Sequence, residues 1–269
     1  MRTALALAVL AAFVAVPTAA GDGGPSPGVD QGGPGVVSPS GAVRYVAVPM
    51  ESSTIVEVIR VSGGTLRTWW SVKGHFGIPY VTNLGAVGGL SRDGRLLVLS
   101  DAVGAGLRTV SHFVLLRTDR LRPTREIALR GDFAYDALSP DASTLYMIQH
   151  TSARDYSRYR VRAYDLRARH LLSGAIVDRT EPKNAMRGFP LARVTSADGA
   201  WVYTLYSGGK MPFVHALDTV HRHAFCLDLP WKGSQNVLWQ MHMSLSRDGS
   251  RIIIRGKGHT IAVHTPGAA

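Results

Sequence analysis

Short apolar stretches separated by polar turns recur along the chain from about residue 36 to residue 264. Within these stretches β-branched and aromatic residues predominate, and many positions alternate between apolar and polar. Four of them lie at 95–99, 144–148, 200–204 and 251–254. This pattern predicts β-strands, and no apolar period of 3.6 residues competes with it. The sequence therefore predicts an all-β protein.

A turn motif, Ser-x-Asp-Gly or a close variant, precedes each of these four strands, and a fifth copy lies at the start of the repeats. The five copies lie at 38–41, 91–94, 139–142, 196–199 and 246–249. Ser and Asp side chains hydrogen-bond the backbone of a tight turn, and Gly accepts the positive φ that such a turn needs. Successive copies begin 53, 48, 57 and 50 positions apart. Periods near 50 residues are typical of propeller blades.

Further predicted strands follow the strand after each turn. A third strand occurs in all five copies, at 54–58, 112–116, 161–165, 214–218 and 260–264. A fourth occurs in the first four copies only, at 66–69, 126–129, 171–177 and 225–229. Four antiparallel strands make one propeller blade. We therefore predict a single β-propeller of about five blades over 36–269, with an incomplete last blade and an irregular seam between the last and first repeats.

The repeat resembles the blades of the YVTN and TolB-like β-propeller proteins of bacteria. The resemblance covers residues 36 to 264 and rests on the Ser-x-Asp-Gly turn, the apolar strand after it, and third strands that end in Asp165 and Asp218. Those families include non-catalytic surface and periplasmic binding proteins, and more distant propellers act as lactonases or lyases. The resemblance therefore implies a fold without selecting a chemistry.

The first 35 residues differ in composition from the repeats. Arg2, an apolar run over 4–16 and small residues up to Ala20 predict a secretory signal peptide, residues 1–20. The Gly- and Pro-rich residues 21–35 predict a disordered leader. Since no second apolar run reaches about 18 residues, we expect no membrane span. The sequence predicts a secreted, periplasmic or cell-envelope protein.

The charge is strongly positive, with a formal net charge of +11. Most of the 30 basic residues are arginine, a bias that a GC-rich genome also produces. We therefore regard nucleic acid as an unlikely partner. An Arg- and Tyr-rich segment over 152–170 supports one alternative function, a polyanion or cell-wall adhesin.

The candidate site lies at the mouth of the predicted channel. Tyr135, Asp136, Arg193 and His242 fall on predicted inner strands, where a structural blade carries small or apolar residues. Loops predicted at the same face add two more residues, His75 and Trp231. We expect these six residues to bind a small polar or anionic ligand or an envelope protein. In the structural alternative, Asp136 and Arg193 pair with each other.

The sequence carries no motif for common catalytic chemistries in the context that such a motif needs. Its one Gly-x-Ser-x-Gly stretch, residues 24–28, lies in the Gly- and Pro-rich leader rather than between a strand and a helix, and the chain contains no His-Glu-x-x-His zinc motif. His221 and His223 lie in a predicted hairpin without a neighbouring carboxylate or thiolate at ligand spacing. We therefore expect no cofactor, no metal and a non-catalytic binding function. The alternative is an enzyme of the lactonase or lyase kind, with a His/Asp pair or a metal in the channel.

Overall fold

The computed structural model describes residues 28–102, 106–178, 180, 186–208 and 211–266. These residues form twenty β-strands and one short 3-10 helix, Gln235–Gln240, which Ser234 caps. In chain order the strands are β1 Val29–Asp30, β2 Val36–Val37, β3 Val43–Pro49, β4 Ser53–Arg60, β5 Leu66–Lys73, β6 Phe76–Pro79, β7 Leu96–Asp101, β8 Val110–Arg117, β9 Arg122–Arg130, β10 Asp132–Leu138, β11 Thr144–His150, β12 Tyr159–Asp165, β13 His170–Leu171, β14 Phe189–Thr195, β15 Trp201–Ser207, β16 Phe213–Asp218, β17 His223–Asp228, β18 His242–Leu245, β19 Arg251–Gly256 and β20 His259–His264.

The strands form five antiparallel sheets, which follow one another along the chain as blades. Blade 1 contains β2 to β5, blade 2 contains β6 to β9, blade 3 contains β10 to β13, blade 4 contains β14 to β17, and blade 5 contains β18 to β20. The prediction of about five blades with an incomplete last blade is confirmed. Among the described residues, no helix is long and apolar enough to cross a membrane.

The turn motif forms the hydrogen bonds that its residue types predict. In blades 2 to 5 the Ser hydroxyl donates to the Asp carboxylate two positions later, over 2.5–2.7 Å. The same Ser oxygen accepts the backbone N–H of the residue that opens the next strand, at 2.9 Å in each blade. Gly94 adopts a φ of 70°, the left-handed region that favours glycine. Local chemistry therefore fixes where each inner hairpin turns.

Four hydrophobic clusters hold the blades together, and each of them spans two consecutive blades. The clusters join blade 1 to 2, blade 2 to 3, blade 3 to 4 and blade 4 to 5. In the part of the chain that the structure describes, no such cluster joins blade 5 to blade 1. Over the described residues, hydrophobic clusters thus form four interfaces between successive blades. The predicted seam between the last and first repeats is the position where these residues form no such cluster.

Residues 28–35, predicted as part of a disordered leader, include β1. This strand pairs with β6 on its channel side, so it extends the sheet of blade 2 inward. Asp30 is buried there and accepts hydrogen bonds from the Gly35 N–H at 2.7 Å and the Tyr80 hydroxyl at 3.0 Å. The prediction was wrong for these residues because backbone pairing with β6 holds a segment that has few apolar side chains of its own.

Candidate functional site

A β-bulge on β10 shapes the centre of the channel. Tyr135 pairs with Met147 and Ala137 with Tyr146, which leaves Asp136 as the extra residue between them. Because the bulge interrupts the alternation of sides along the strand, Tyr135, Asp136 and Ala137 all line the same cavity. β14 carries a corresponding bulge at Leu191, between Pro190 and Ala192.

Asp136 and Arg193 form a buried ion pair between blades 3 and 4. The Arg193 Nη2 donates to Asp136 Oδ1, and its Nη1 donates to the Asp136 carbonyl oxygen at 2.5 Å. The third guanidinium contact runs from Nε to Thr204 Oγ1 over 3.0 Å. The side chains are only 10% and 3% exposed. This is the pairing that the structural alternative predicted, and it makes the channel floor close to neutral.

Tyr135 packs beside this pair and is buried. Its ring lies so close to blade 2 that a Cβ added at Gly88 would be 2.6 Å from Tyr135 Cε1. Burial raises the pKa of Tyr135 to about 12. The phenol is therefore protonated and uncharged at neutral pH. The tight fit also explains why glycine occupies position 88.

A cavity of about 320 Å³ opens at the end of the channel where the Ser-x-Asp-Gly turns lie. Its rim contains the second residue of four of the five turn motifs, namely Pro39, Arg92, Pro140 and Ala197. Its walls are mainly aliphatic and include Val36, Val81, Val87, Leu90, Leu138 and Val202. Its floor contains Tyr135, Asp136 and Arg193. The variable position of the motif is thus directed at the channel in blades 1 to 4, whereas its fifth representative, Arg247, is not part of this lining.

Two hydrogen bonds cross the channel and join blade 2 to blade 4. At the turn end, Arg92 Nε donates to the Ala197 carbonyl over 3.2 Å. At the other end, the Asn83 N–H donates to the Pro190 carbonyl over 2.8 Å. The channel is therefore narrow at both ends, and the exposed Arg92 places a positive charge at the rim of the cavity.

A second and smaller pocket lies on the other side of the Asp136–Arg193 pair. It measures about 20 Å³, room for about one water molecule, and Asp136, His150 and Tyr206 contribute to its lining. His215 packs edge-on against Tyr206, with the ring centroids 6.3 Å apart. Burial lowers the pKa of His215 to about 4, so this imidazole is neutral at pH 7. This end of the channel is tightly filled by side chains.

A buried polar network beside this smaller pocket was not predicted from the sequence. Arg108 donates to Asp101 Oδ1 and to Asp132 Oδ1, each at 2.5 Å, and His150 Nδ1 lies 2.9 Å from Asp132 Oδ2. Burial alone would raise the pKa of Asp132, but the His150 hydrogen bond and the Arg108 charge outweigh it and hold that pKa below its usual range. The signal that could have indicated this network is the register of the β10–β11 hairpin, in which Asp132 and His150 face each other at the open end.

The other predicted site residues lie away from the cavity. His242 is exposed on β18 opposite Arg255, and His75 is exposed in the loop before β6. Trp231 is buried between blades 4 and 5, with its ring 5.0 Å from that of His259. The structure thus brings together Tyr135, Asp136 and Arg193, and places His242, His75 and Trp231 elsewhere. Ligand binding by these residues stays a prediction.

Two further sequence hypotheses concern basic residues and metals. Within the Arg-rich segment, Arg160 is exposed, whereas Arg162 bonds Gln149 Oε1 at 2.9 Å and the Leu172 carbonyl at 3.0 Å. The adhesin function stays a prediction. Over the residues that the structure describes, no group of three or more His, Cys, Asp or Glu side chains could hold a metal ion.

Comparison with known proteins identifies the fold. No protein-family model matches the chain, and no curated protein matches its sequence. The β-propeller domain of Swd1 from Myceliophteria thermophila is 12% identical, with a TM-score of 0.51 over 92% of this chain and 67% of that one. The chain is a β-propeller. This confirms, at the level of fold, the resemblance seen in the repeats.

Other solved structures also resemble this propeller. A functionally unknown protein from Desulfotomaculum acetoxidans is 11% identical, with a TM-score of 0.54 over 87% of this chain and 65% of that one. TolB from Acinetobacter baumannii is 14% identical, with a TM-score of 0.41 over 76% of this chain and 43% of that one. The propeller therefore spans about two thirds or less of these two proteins.

Proposed function

We propose that this protein is a non-catalytic propeller scaffold that binds a ligand or a partner protein in its channel. The observation that supports this most is the cavity of about 320 Å³ at the turn end. Four blades present the variable residue of the same turn motif to it, namely Pro39, Arg92, Pro140 and Ala197. Variable residues on rigid turns around one cavity are a common arrangement for recognition.

The chemistry of the cavity limits what it would accept. Its volume is at the lower end of the range for small-molecule sites, about 300–1,000 Å³, so a compact group fits best. The walls are aliphatic, and the Asp136–Arg193 pair leaves the floor nearly neutral. Arg92 supplies the positive charge at the rim. We infer a guest with an apolar body and a polar or anionic end, either a small molecule or a side chain of an envelope protein.

A thermal-shift screen of small carboxylates with apolar bodies tests this proposal. Binding to the native state raises Tm, so true ligands raise it in a concentration-dependent way. Ala197→Trp places an indole at the rim without changing the core, and we expect it to abolish the shift. Arg247→Trp places the same indole at the equivalent position of the blade 5 turn, outside the cavity, and is the matched control.

Two results would contradict a channel site. One is a ligand-induced shift that survives unchanged in Ala197→Trp. The other is equal loss of the shift in Ala197→Trp and Arg247→Trp, because that would indicate a general effect of the indole rather than occlusion of the cavity.

We also propose that the protein is exported. The supporting pattern is the charged start, apolar run and small-residue exit over 1–20, which lies outside the described residues. N-terminal sequencing of the full chain expressed in a bacterium with a Sec pathway tests this. We expect a mature N-terminus close to residue 21 in the exported fraction, and an uncleaved chain retained in the cytoplasm would contradict the proposal.

A further inference from the structure

The outer edge of blade 5 is free in the part of the chain that the structure describes. The Thr265 N–H donates to the Ser250 carbonyl at 3.0 Å, which makes these two residues a hydrogen-bonded pair. Hydrogen-bonded and non-hydrogen-bonded pairs alternate along an antiparallel ladder. The backbone N–H and C=O groups of His264, Ala262 and Thr260 therefore point away from β19, toward the free edge. Such a row of groups is a template for another strand.

Blade 4 shows what a fourth strand does at this position. There β17 pairs with the whole of β16 and places Phe225 and Leu227 on the side that faces blade 5. Both side chains are only partly buried, and the described part of blade 5 has no strand beyond β20 to lie over them. Apolar side chains on an added strand would pack over Phe225 and Leu227. One face of the missing strand should therefore be apolar.

The opposite face of blade 5 is basic. Arg251, Arg255, His242 and His264 are all exposed there, and β18 to β20 contain no Asp or Glu. A fourth strand would lie two strand spacings from β19, about 10 Å. A long arginine side chain and a facing carboxylate span that gap together. The outward face of the added strand should therefore be acidic.

We propose that blade 5 is completed by an extended segment of another protein, which adds as a fourth strand beside β20 and alternates apolar with acidic side chains. Backbone hydrogen bonds to the edge supply affinity, and the two faces supply selectivity. This edge is separate from the channel cavity. A second copy of this chain is a poor occupant, because its own blade 5 carries the same exposed arginines and no Asp or Glu to face Arg251 and Arg255.

A labelled synthetic peptide that alternates valine with glutamate tests the proposal by fluorescence anisotropy. We expect saturable binding to the full chain that weakens as salt rises, and at least tenfold weaker binding of a valine–lysine peptide. Ala262→Pro removes one N–H from the free edge and leaves the pairing with β19 intact, as proline is tolerated at such positions. We expect at least a tenfold loss of affinity in this variant.

Charge reversal gives an independent test that does not depend on proline. The double variant Arg251→Glu with Arg255→Glu should bind the valine–lysine peptide better than the valine–glutamate peptide. Arg247→Glu, in the turn outside the strands, should leave the preference unchanged and is the matched control. A valine–glutamate peptide N-methylated at alternate amides, so that one edge lacks donors, should not bind.

Several outcomes would overturn the proposal. Equal affinity for the two peptides, or undiminished binding to a folded Ala262→Pro variant, would show that neither the charge nor the edge recognises the peptide. A homodimer that Ala262→Pro dissociates would identify a second copy as the occupant. Ala197→Trp should not affect peptide binding, so failure at the channel and failure at this edge are distinguishable.

Discussion

At the scale of single residues, one type of contact recurs in the turns and sets their response to acid. A serine hydroxyl donates to the aspartate carboxylate of the same turn. This hydrogen bond is the main reason why the pKa values of Asp93 and Asp198 lie below their usual range and that of Asp248 is about 2. These groups stabilise the fold above pH 4, and that contribution is lost as the pH falls toward 2.

His215 makes stability pH-dependent in a higher range. Burial is the main cause of its pKa of about 4, whereas the ordinary value is 6.5. Between these values the unfolded chain binds the extra proton and the native protein does not, so stability falls as pH falls from 6.5 to 4. The difference corresponds to about 3 kcal/mol. We expect urea unfolding of wild type to show this loss and His215→Leu to show much less of it.

The control for this prediction is His242→Leu, which changes an exposed histidine. We expect its pH dependence between 6.5 and 4 to match that of wild type. If His215→Leu kept the full loss of stability over that range, another group would have to be responsible for it.

At the scale of elements, the sequence predicts local features well and long-range ones poorly. Turn positions follow from Ser, Asp and Gly chemistry within four residues, and strands follow from apolar alternation. The bulge at Asp136 was not predictable, because the Tyr135-Asp136-Ala137 segment reads as an ordinary strand. The hydrogen bond from Arg92 to Ala197 joins residues 105 positions apart, so no local pattern marks it. The site could thus be placed on inner strands but not at its turn end.

The strand β1 was not predicted, because it lies in a Gly- and Pro-rich segment. Its Asp30 side chain forms hydrogen bonds that hold it in place. Asp30→Ala removes the acceptor for the Gly35 N–H and the Tyr80 hydroxyl. Leaving the buried Gly35 N–H unpaired costs about 1–3 kcal/mol, so we expect a clear loss of stability in urea. The pKa of Tyr80 is raised to about 12, first by burial and then by Asp30. We expect it to fall in the variant, as measured by ultraviolet titration of tyrosine.

Tyr135 provides an internal reference for that titration. Its pKa is also raised to about 12 by burial, but it does not depend on Asp30. An unchanged Tyr80 titration in Asp30→Ala would argue against the seating of β1 in the channel, whereas a shift of both tyrosines would indicate general unfolding.

At the scale of the whole molecule, the described residues form four hydrophobic interfaces between five blades, so in that part of the chain blades 1 and 5 each share only one such cluster with another blade. Local opening costs least where fewest buried contacts must be broken. We expect amide hydrogen exchange to be fastest in blades 1 and 5 and slowest in blade 3. Mass spectrometry of peptides from β19 and from β11 gives the direct comparison, and uniform protection of all five blades would show that the ring is closed.

The two hydrogen bonds across the channel divide the five blades into two groups. Blades 2, 3 and 4 form a closed triangle, because blade 2 is tied to blade 4 directly as well as through blade 3. Blade 1 is joined to blade 2, and blade 5 to blade 4, each through one hydrophobic cluster. Blade 1 contributes Val36 and Pro39 to the cavity, whereas blade 5 contributes no residue to its described lining. A partner that displaces blade 1 would therefore alter the cavity, and a partner that binds the outer edge of blade 5 would leave the cavity as it is.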